Sequence, residues 1–353
     1  MFIPIRRGLG ACLLVPALTL GLIGPPGGKQ AHAATTTILP VVALAGYQVS
    51  VFATGTTNYT NPDSILTDGR HVFVGYQNIT AKDGTDNQSS TVVEYTLSGQ
   101  IVRTFSVLGH CDGLRMNPTT HLLWAVSNED GNPRLVTIDP ASGAETPYAF
   151  AATAHGGGFD DLAFTHGVAL ISASNPNLDK NGVNIYPALD RITLSHGKAS
   201  VTPVLMGNGT AIDLTSNTNA TVALNVIDPD SLTINPQGNI VLDNQAGSQL
   251  IFIALLGTKY QSITTLPVGN QVDDTVWATS AQGTLLISDT SANTIYAVRS
   301  STFLPGTVYG TTPNDSGVAG MLGIVDQGTG IITPVAIGFG SPHGMLFLPG
   351  AKQ

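Results

Sequence analysis

An all-β fold built from a repeated hairpin unit is predicted by three features of this 353-residue sequence. Gly and Pro number 40 and 21, beside plentiful Thr, Ser, Asn and Val, which favours many short strands joined by tight turns. Charged residues are only 10% and hydrophobic residues 42%, so the chain is neither disordered nor a coiled coil or helical bundle. A short motif recurs along the chain at intervals of 44 to 70 residues. The length would allow two average domains, but all-β domains often exceed 200 residues, and one domain over 34–353 is expected.

Residues 1–33 read as a secretory leader. Arg6 and Arg7 form a positive start, an apolar stretch runs from Leu9 to Ile23, and Ala31-His32-Ala33 fits a small-x-small cleavage site. A membrane anchor is disfavoured because Gly and Pro interrupt that short stretch. The residues around Arg6-Arg7 fit a twin-arginine signal poorly, and Leu9-Gly10-Ala11-Cys12 precedes the apolar core, where a lipobox would follow it. The expected location is secreted or periplasmic, with no membrane contact after cleavage. After cleavage Cys111 is the one remaining cysteine, so no internal disulfide forms and a buried structural thiol is expected there. The whole chain has a formal charge of -9 with 14 Lys+Arg, which argues against nucleic acid as a partner.

The repeat reads Asp, any residue, apolar, any residue, apolar or Met, then a turn and a β-branched run ending in Asp, Asn or Ser. Its copies begin at Asp63, Asp112, Asp160, Asp230 and Asp274, with a sixth at His343 cut short by the C-terminus. Each copy is expected to start a hairpin. Ile65/Thr67 and Leu232/Ile234 alternate with strand period, and Asp68-Gly69, Asn117-Pro118, Asn235-Pro236 and Gln282-Gly283 supply turns. Two more strands follow, such as Thr91–Leu97 and Ile101–Val107. Four strands in some 45–50 residues is the signature of a propeller blade. The two long intervals are read as insertions near Gly207–Val222 and Ser301–Gly320. Gln48–Gly55 resembles an outer strand and His343–Leu348 an innermost one, so strands from both termini would share the last blade. The expectation is a six-bladed β-propeller, with five blades or an irregular closure as the alternative.

The repeat, as in Pro229-Asp230-Ser231-Leu232 followed by Gly238–Asp243, resembles the six-bladed propellers of the NHL and SMP-30/gluconolactonase-like superfamily. In such propellers each innermost strand starts at the top face beside the channel. The resemblance therefore implies a ring of Asp63, Asp112, Asp160, Asp230, Asp274 and His343, with Gln77, Asn128, Asn175, Asn244 and Asp289 on second strands nearby. Converging carboxylates repel one another and need protons, backbone amides or a cation. The resemblance implies a divalent cation, taken as Ca²⁺, held by Asp63, Asp160 and Asp230, with Asn128 or Asn175 nearby. Asp63 stands where the family typically has Glu, and Asp in nearly every copy also suits a purely structural role in which each Asp caps its own blade.

His110, His155 and His343 fall in the same loops, and histidine suits base catalysis or metal binding. The ligand-binding set is therefore expected to include His110, Asp112, Asn128, His155, Asn175 and Asn244. Asp230, Asp274 or His343 is expected to activate water. Asn177–Gly182 resembles half of a calcium loop but lacks the terminal Glu. Trp124 and Trp277 are expected in the core. Motifs of serine hydrolases, zincins, P-loop NTPases and thioredoxins are absent from the sequence. Two functions stay open: a cation-dependent hydrolase of lactones or esters, and a non-catalytic secreted propeller, a monomer binding a protein or small molecule at its top face. A quinone-dependent sugar dehydrogenase would want more basic residues than the chain has.

Overall fold

The computed structural model describes residues 41–314 and 317–350, all in strands, turns and loops. The segment read as a leader lies outside the described residues. Among the described residues no helix is long and apolar enough to cross a membrane.

The strands group into six four-stranded antiparallel blades. From the innermost strand outward, blade 1 is Pro62–Thr67, His71–Tyr76, Ser89–Thr96 and Ile101–Leu108. Blade 2 is Cys111–Met116, Leu123–Ser127, Arg134–Ile138 and Glu145–Phe150, and blade 3 is Leu162–Thr165, Val168–Ser172, Pro187–Ser195 and Lys198–Met206. Blade 4 is Pro229–Ile234, Ile240–Asn244, Gln249–Ala254 and Ser262–Pro267. Each innermost strand packs beside the next, and Pro342–Pro349, innermost in blade 6, returns to Pro62–Thr67. The ring is closed, and the fold is a six-bladed β-propeller.

Middle strands such as Val72–Tyr76 and Ile240–Asn244 are buried on both faces, because a blade lies on either side. They accordingly open on apolar runs without polar alternation, Val72-Phe73-Val74 and Ile240-Val241-Leu242. Outer strands alternate: in Ile101–Leu108 only Phe105 and Val107 are buried. The core is six apolar layers, one between each pair of blades. Cys111 lies wholly buried between blades 1 and 2, Trp124 between blades 2 and 3, and Trp277 between blades 4 and 5. Three of the four expected turns form, at Asp68-Gly69, Asn117-Pro118 and Asn235-Pro236. Asp68 Oδ1 accepts the amides of Arg70 and His71, and Asn235 Oδ1 those of Gln237 and Asn239.

Closure departs from the expected hairpins. Thr275–Trp277, innermost in blade 5, does not turn back into Gly283–Asp289. It pairs with Val308–Thr312, and Gly320–Val325 and Ile332–Phe339 complete that blade. Gly283–Asp289 crosses into blade 6, between Pro342–Pro349 and Thr294–Ser300, and Tyr47–Thr54 adds the outer strand. The two blades thus exchange strands, and termini do share the last blade. Gln282-Gly283 is no hairpin turn. Gly283 pairs with Pro349, and a Cβ there would lie 2.6 Å from Leu348 O and 2.5 Å from the Phe347 ring. The interval read as an insertion near Ser301–Gly320 contains blade 5's own second strand. The insertion near Gly207–Val222 is real: Thr210–Asp213 and Thr221–Ala223 form a hairpin on the outer edge of blade 4.

Inner strands approach closely enough to require glycine. A Cβ on Gly344 would lie 2.5 Å from Asp63 O, and one on Gly113 2.3 Å from Asp160 O. Neither has positive φ, so alanine would otherwise stabilise by restricting the unfolded chain. Gly344→Ala and Gly113→Ala are instead expected to lower stability by about 1–3 kcal/mol in urea denaturation. A gain would refute the close blade contact.

A second expectation concerns Asp190, 3% exposed on Pro187–Ser195, whose Oδ1 has no hydrogen-bond partner. Burial raises its pKa to about 6. A raised carboxyl favours the fold only while protonated, so its cost begins above the unfolded value near 4 and is complete above about 6. Asp190→Asn should stabilise the protein by about 2 kcal/mol at pH 7 and by little at pH 4, read from denaturation at both pH values.

Candidate functional site

The start of each innermost strand points one residue at the axis and turns the next toward the following blade, because strand side chains alternate. The axial positions are Asp63, Asp112, Asp160, Asp230, Asp273 and His343. They line one cavity of about 440 Å³, together with Gln77, Lys82, His110, Arg115, Glu129 and Gln245. The fifth axial residue is thus Asp273, one position before the Asp274 expected from the repeat. Asp274 also borders the cavity, but its oxygens accept the amides of Thr275 and of Met345 in the next blade, each at 2.7 Å. Asp161 does the same two blades earlier. It accepts from Leu162 N at 2.7 Å, from Leu232 N of the next blade at 2.9 Å and from Arg115 Nη2 at 2.5 Å. These two carboxylates are inter-blade staples.

Amides and imidazole link the axial acids. Gln77 Nε2 donates to Asp63 Oδ2 at 2.6 Å and to Asp112 Oδ1 at 2.9 Å. His343 Nδ1 lies 2.8 Å from Asp273 Oδ2 and 3.6 Å from Asp63 Oδ1, and its Nε2 is 3.0 Å from Ser341 Oγ. Gln245 Nε2 donates to Asp273 Oδ2 at 3.1 Å. Across the cavity Lys82 Nζ meets Glu129 Oε1 at 2.5 Å. Burial raises Asp63 to about 7, a rise that His343 partly offsets, and pushes Asp112, Asp160 and Asp230 well above the usual carboxylate range. Burial raises Asp274 to about 7 as well, against the pull of Arg115. Glu129 is the exception: burial opposes its charge, but Lys82 overcomes that and holds it below the ordinary value.

Donor atoms gather in two trios, Asp63/Asp273/His343 and His110/Asp112/Glu129, each within 4.8 Å of one another. Asp63, Asp160 and Asp230, expected to share a cation, line the same cavity but make no such trio among the described residues.

Several expected ligands lie elsewhere. Asn128 Oδ1 accepts the His110 amide and its Nδ2 donates to Asn132 O; its φ is +71°. Asn244 accepts the Asp228 amide, and Asn175, at φ +45°, bonds Asp130. None of the three borders the cavity. They cap the second strands, and Glu129 and Gln245, one residue further along, reach the axis instead. Asp289 accepts three backbone amides. His155 is buried against Phe159 with Nε2 2.7 Å from Gly158 O, and burial lowers its pKa. Asp179 of the calcium-like loop turns its Oδ1 to the amides of Asn181 and Val183. Lys82 carried no signal in the sequence, since it comes from an irregular loop after the second strand. Glu129 was legible only as the neighbour of a capping asparagine.

No protein-family model and no curated protein matches the chain. Solved structures similar to it include a putative gluconolactonase at 12% identity, with 85% of this chain and 84% of that one covered and a TM-score of 0.45. A streptogramin B lyase shows 11% identity, coverage of 87% and 88%, and a TM-score of 0.46. The periplasmic gluconolactonase PpgL of Pseudomonas aeruginosa shows 14% identity, coverage of 82% and 88%, and a TM-score of 0.44. The propeller assignment rests on the strand pairing and the six blade interfaces.

Arg115 lines the cavity, and its partner Asp161 is 4% exposed. Arg115→Met should therefore leave a buried unpaired carboxylate and cost about 3–5 kcal/mol in chemical denaturation. A loss below about 1 kcal/mol would show that the pair does not hold blades 2, 3 and 4 together.

Proposed function

We propose that the chain is an exported, divalent-cation-dependent hydrolase of small lactones or esters, working in the axial cavity. The observation that carries this reading is an imbalance of charge. Eight carboxyl groups line the cavity against two full cations, Lys82 and Arg115. Backbone amides serve Asp161 and Asp274, and Lys82 serves Glu129. That leaves Asp63, Asp112, Asp160, Asp230 and Asp273 converging in one buried space. Asp112 Oδ2 has no hydrogen-bond partner at all.

This donor set fits a hard cation, because Ca²⁺ takes 6–8 oxygen ligands from carboxylates, amides and water. Asp63, Asp160 and Asp230, whose oxygens do not all come within 4.8 Å of one another, would hold it with water completing the shell, and Asp273 stands beside Asp63. When bound, such an ion polarises an ester carbonyl and stabilises the negative charge that develops on its oxygen. The chain's own groups do the rest. Asp273 holds His343 Nδ1, which leaves Nε2, now bonded by Ser341 Oγ, as the atom that takes a proton from attacking water. Asp230 offers a second acceptor for that proton. Asp274 is removed from this role by its two backbone amides. Gln77 fixes the facing edges of Asp63 and Asp112. The cavity volume suits a small molecule.

Excess chelator should lower the melting temperature of the protein as purified, and added Ca²⁺ should restore it by mass action. A panel of lactones and esters should show turnover only with the cation. Asp63→Asn and Asp230→Asn should remove cation affinity and turnover with little loss of stability. His343→Ala should reduce turnover by at least about 100-fold and leave cation affinity intact. An unchanged melting curve with no metal by elemental analysis and no hydrolysis would overturn the proposal and favour a non-catalytic binding propeller.

A further inference from the structure

We infer that His110, Asp112 and Glu129 form a second metal site, built for an ion that prefers mixed nitrogen and oxygen ligands, with Zn²⁺ as the type. It shares the cavity with the trio Asp63/Asp273/His343 but no residue with it, and the Gln77 amide stands between Asp63 and Asp112. It stands whether or not the chain is a hydrolase.

The first observation is the tautomer of His110. Its Nδ1 lies 2.9 Å from Thr80 O and 2.8 Å from Thr80 Oγ1. A carbonyl oxygen only accepts, and Thr80 Oγ1 already donates to Gln77 O at 2.6 Å. Nδ1 therefore carries the hydrogen, and Nε2 presents a lone pair. A backbone carbonyl behind the ring is how proteins orient a metal-binding histidine.

The second observation is what Nε2 faces. Asp112 Oδ1 lies 3.3 Å away, without hydrogen-bond alignment. A neutral imidazole nitrogen and a carboxylate oxygen both offer lone pairs and repel unless something positive lies between them. Two ligands of a tetrahedral ion with bonds of 2.0–2.2 Å stand about 3.4 Å apart, close to the separation here. Asp112 is 4% exposed, and its Oδ2 is buried without a partner.

Glu129 completes the trio and opens it toward the cavity. Three protein ligands with one position left to solvent is the arrangement of reactive zinc sites. Lys82 already holds Glu129 Oε1, so an incoming ion competes with its ammonium for that carboxylate.

The full chain, stripped with chelator and dialysed, should be titrated calorimetrically with ZnCl₂. One equivalent should bind with a Kd below roughly 10 μM. His110→Gln and Asp112→Asn should each weaken binding by at least about 100-fold, and Asp230→Asn should change it by less than about threefold. Lys82→Met should tighten it by at least about threefold, because a competing charge is gone. X-ray absorption at the zinc edge should show one imidazole among light-atom ligands and no sulfur in the wild-type protein, and that imidazole should persist in His343→Gln, which separates this site from the Asp63/Asp273/His343 trio. Absence of saturable Zn²⁺ binding, an edge spectrum without imidazole, or unchanged affinity in a folded His110→Gln would overturn the site and assign a proton to the gap between His110 and Asp112.

Discussion

Ring closure depends on a two-residue alternation where each innermost strand begins. One residue faces the axis, and the next reaches the neighbouring blade. Asp161 and Asp274 accept backbone amides of Leu232 and Met345, and Ser64 Oγ donates to Asp112 O. At Gly113 and Gly344 the same position carries no side chain, and the neighbouring backbone fills the space. Six apolar layers supply most of the burial, but the inner contacts set the angle at which blades meet. Because strand side chains alternate, a slip of one residue would carry an axial acid into a blade interface and a staple into the cavity.

The same alternation creates the electrostatic problem on which the chemistry rests. Six equivalent positions converge, and five of them are Asp. The carboxylates next to the axial positions, Asp161 and Asp274, are served by backbone amides, and Asp161 also by Arg115. On the axis few amides are within reach, because each strand has only just begun and its amides face the adjoining strand. The acids are linked through Gln77, Gln245 and His343, which orient them without cancelling their charge. A cavity with fixed, underbalanced carboxylates is preorganised for a cation. His110 and Glu129 add a nitrogen donor and a further carboxylate to that space.

The strand exchange between blades 5 and 6 ties the two ends of the chain to its interior. Pro342–Pro349 lies between Gly283–Asp289 and the first blade, and Tyr47–Thr54 covers Thr294–Ser300. Blade 6 therefore cannot form until both ends have arrived. The apolar layer between blades 6 and 1 likewise joins Val72, Val74 and Tyr95 to Leu286, Ile295 and Ala297. Contacts of such sequence separation belong to slow, cooperative folding.

The repeat alone determined the all-β class, the blade unit, the use of both termini in the last blade and five of the six axial residues. These follow from local properties: period-two alternation, turn residues and apolar middle strands. The sequence placed Asp274 on the axis because Asp273 and Asp274 are chemically identical neighbours, and only the pairing of Thr275 with Gly310 sets which one points inward. It read Gln282-Gly283 as a turn because a hairpin was the nearest partner available, while the real partner lies some sixty residues on. It chose Asn128 and Asn244 over Glu129 and Gln245 because both belong to one strand end, and the left-handed asparagine at 128 turns the chain between them. Lys82 could not have been found at all. What a side chain next to the axis meets is decided by loops from other blades, and that meeting exists only in the folded ring.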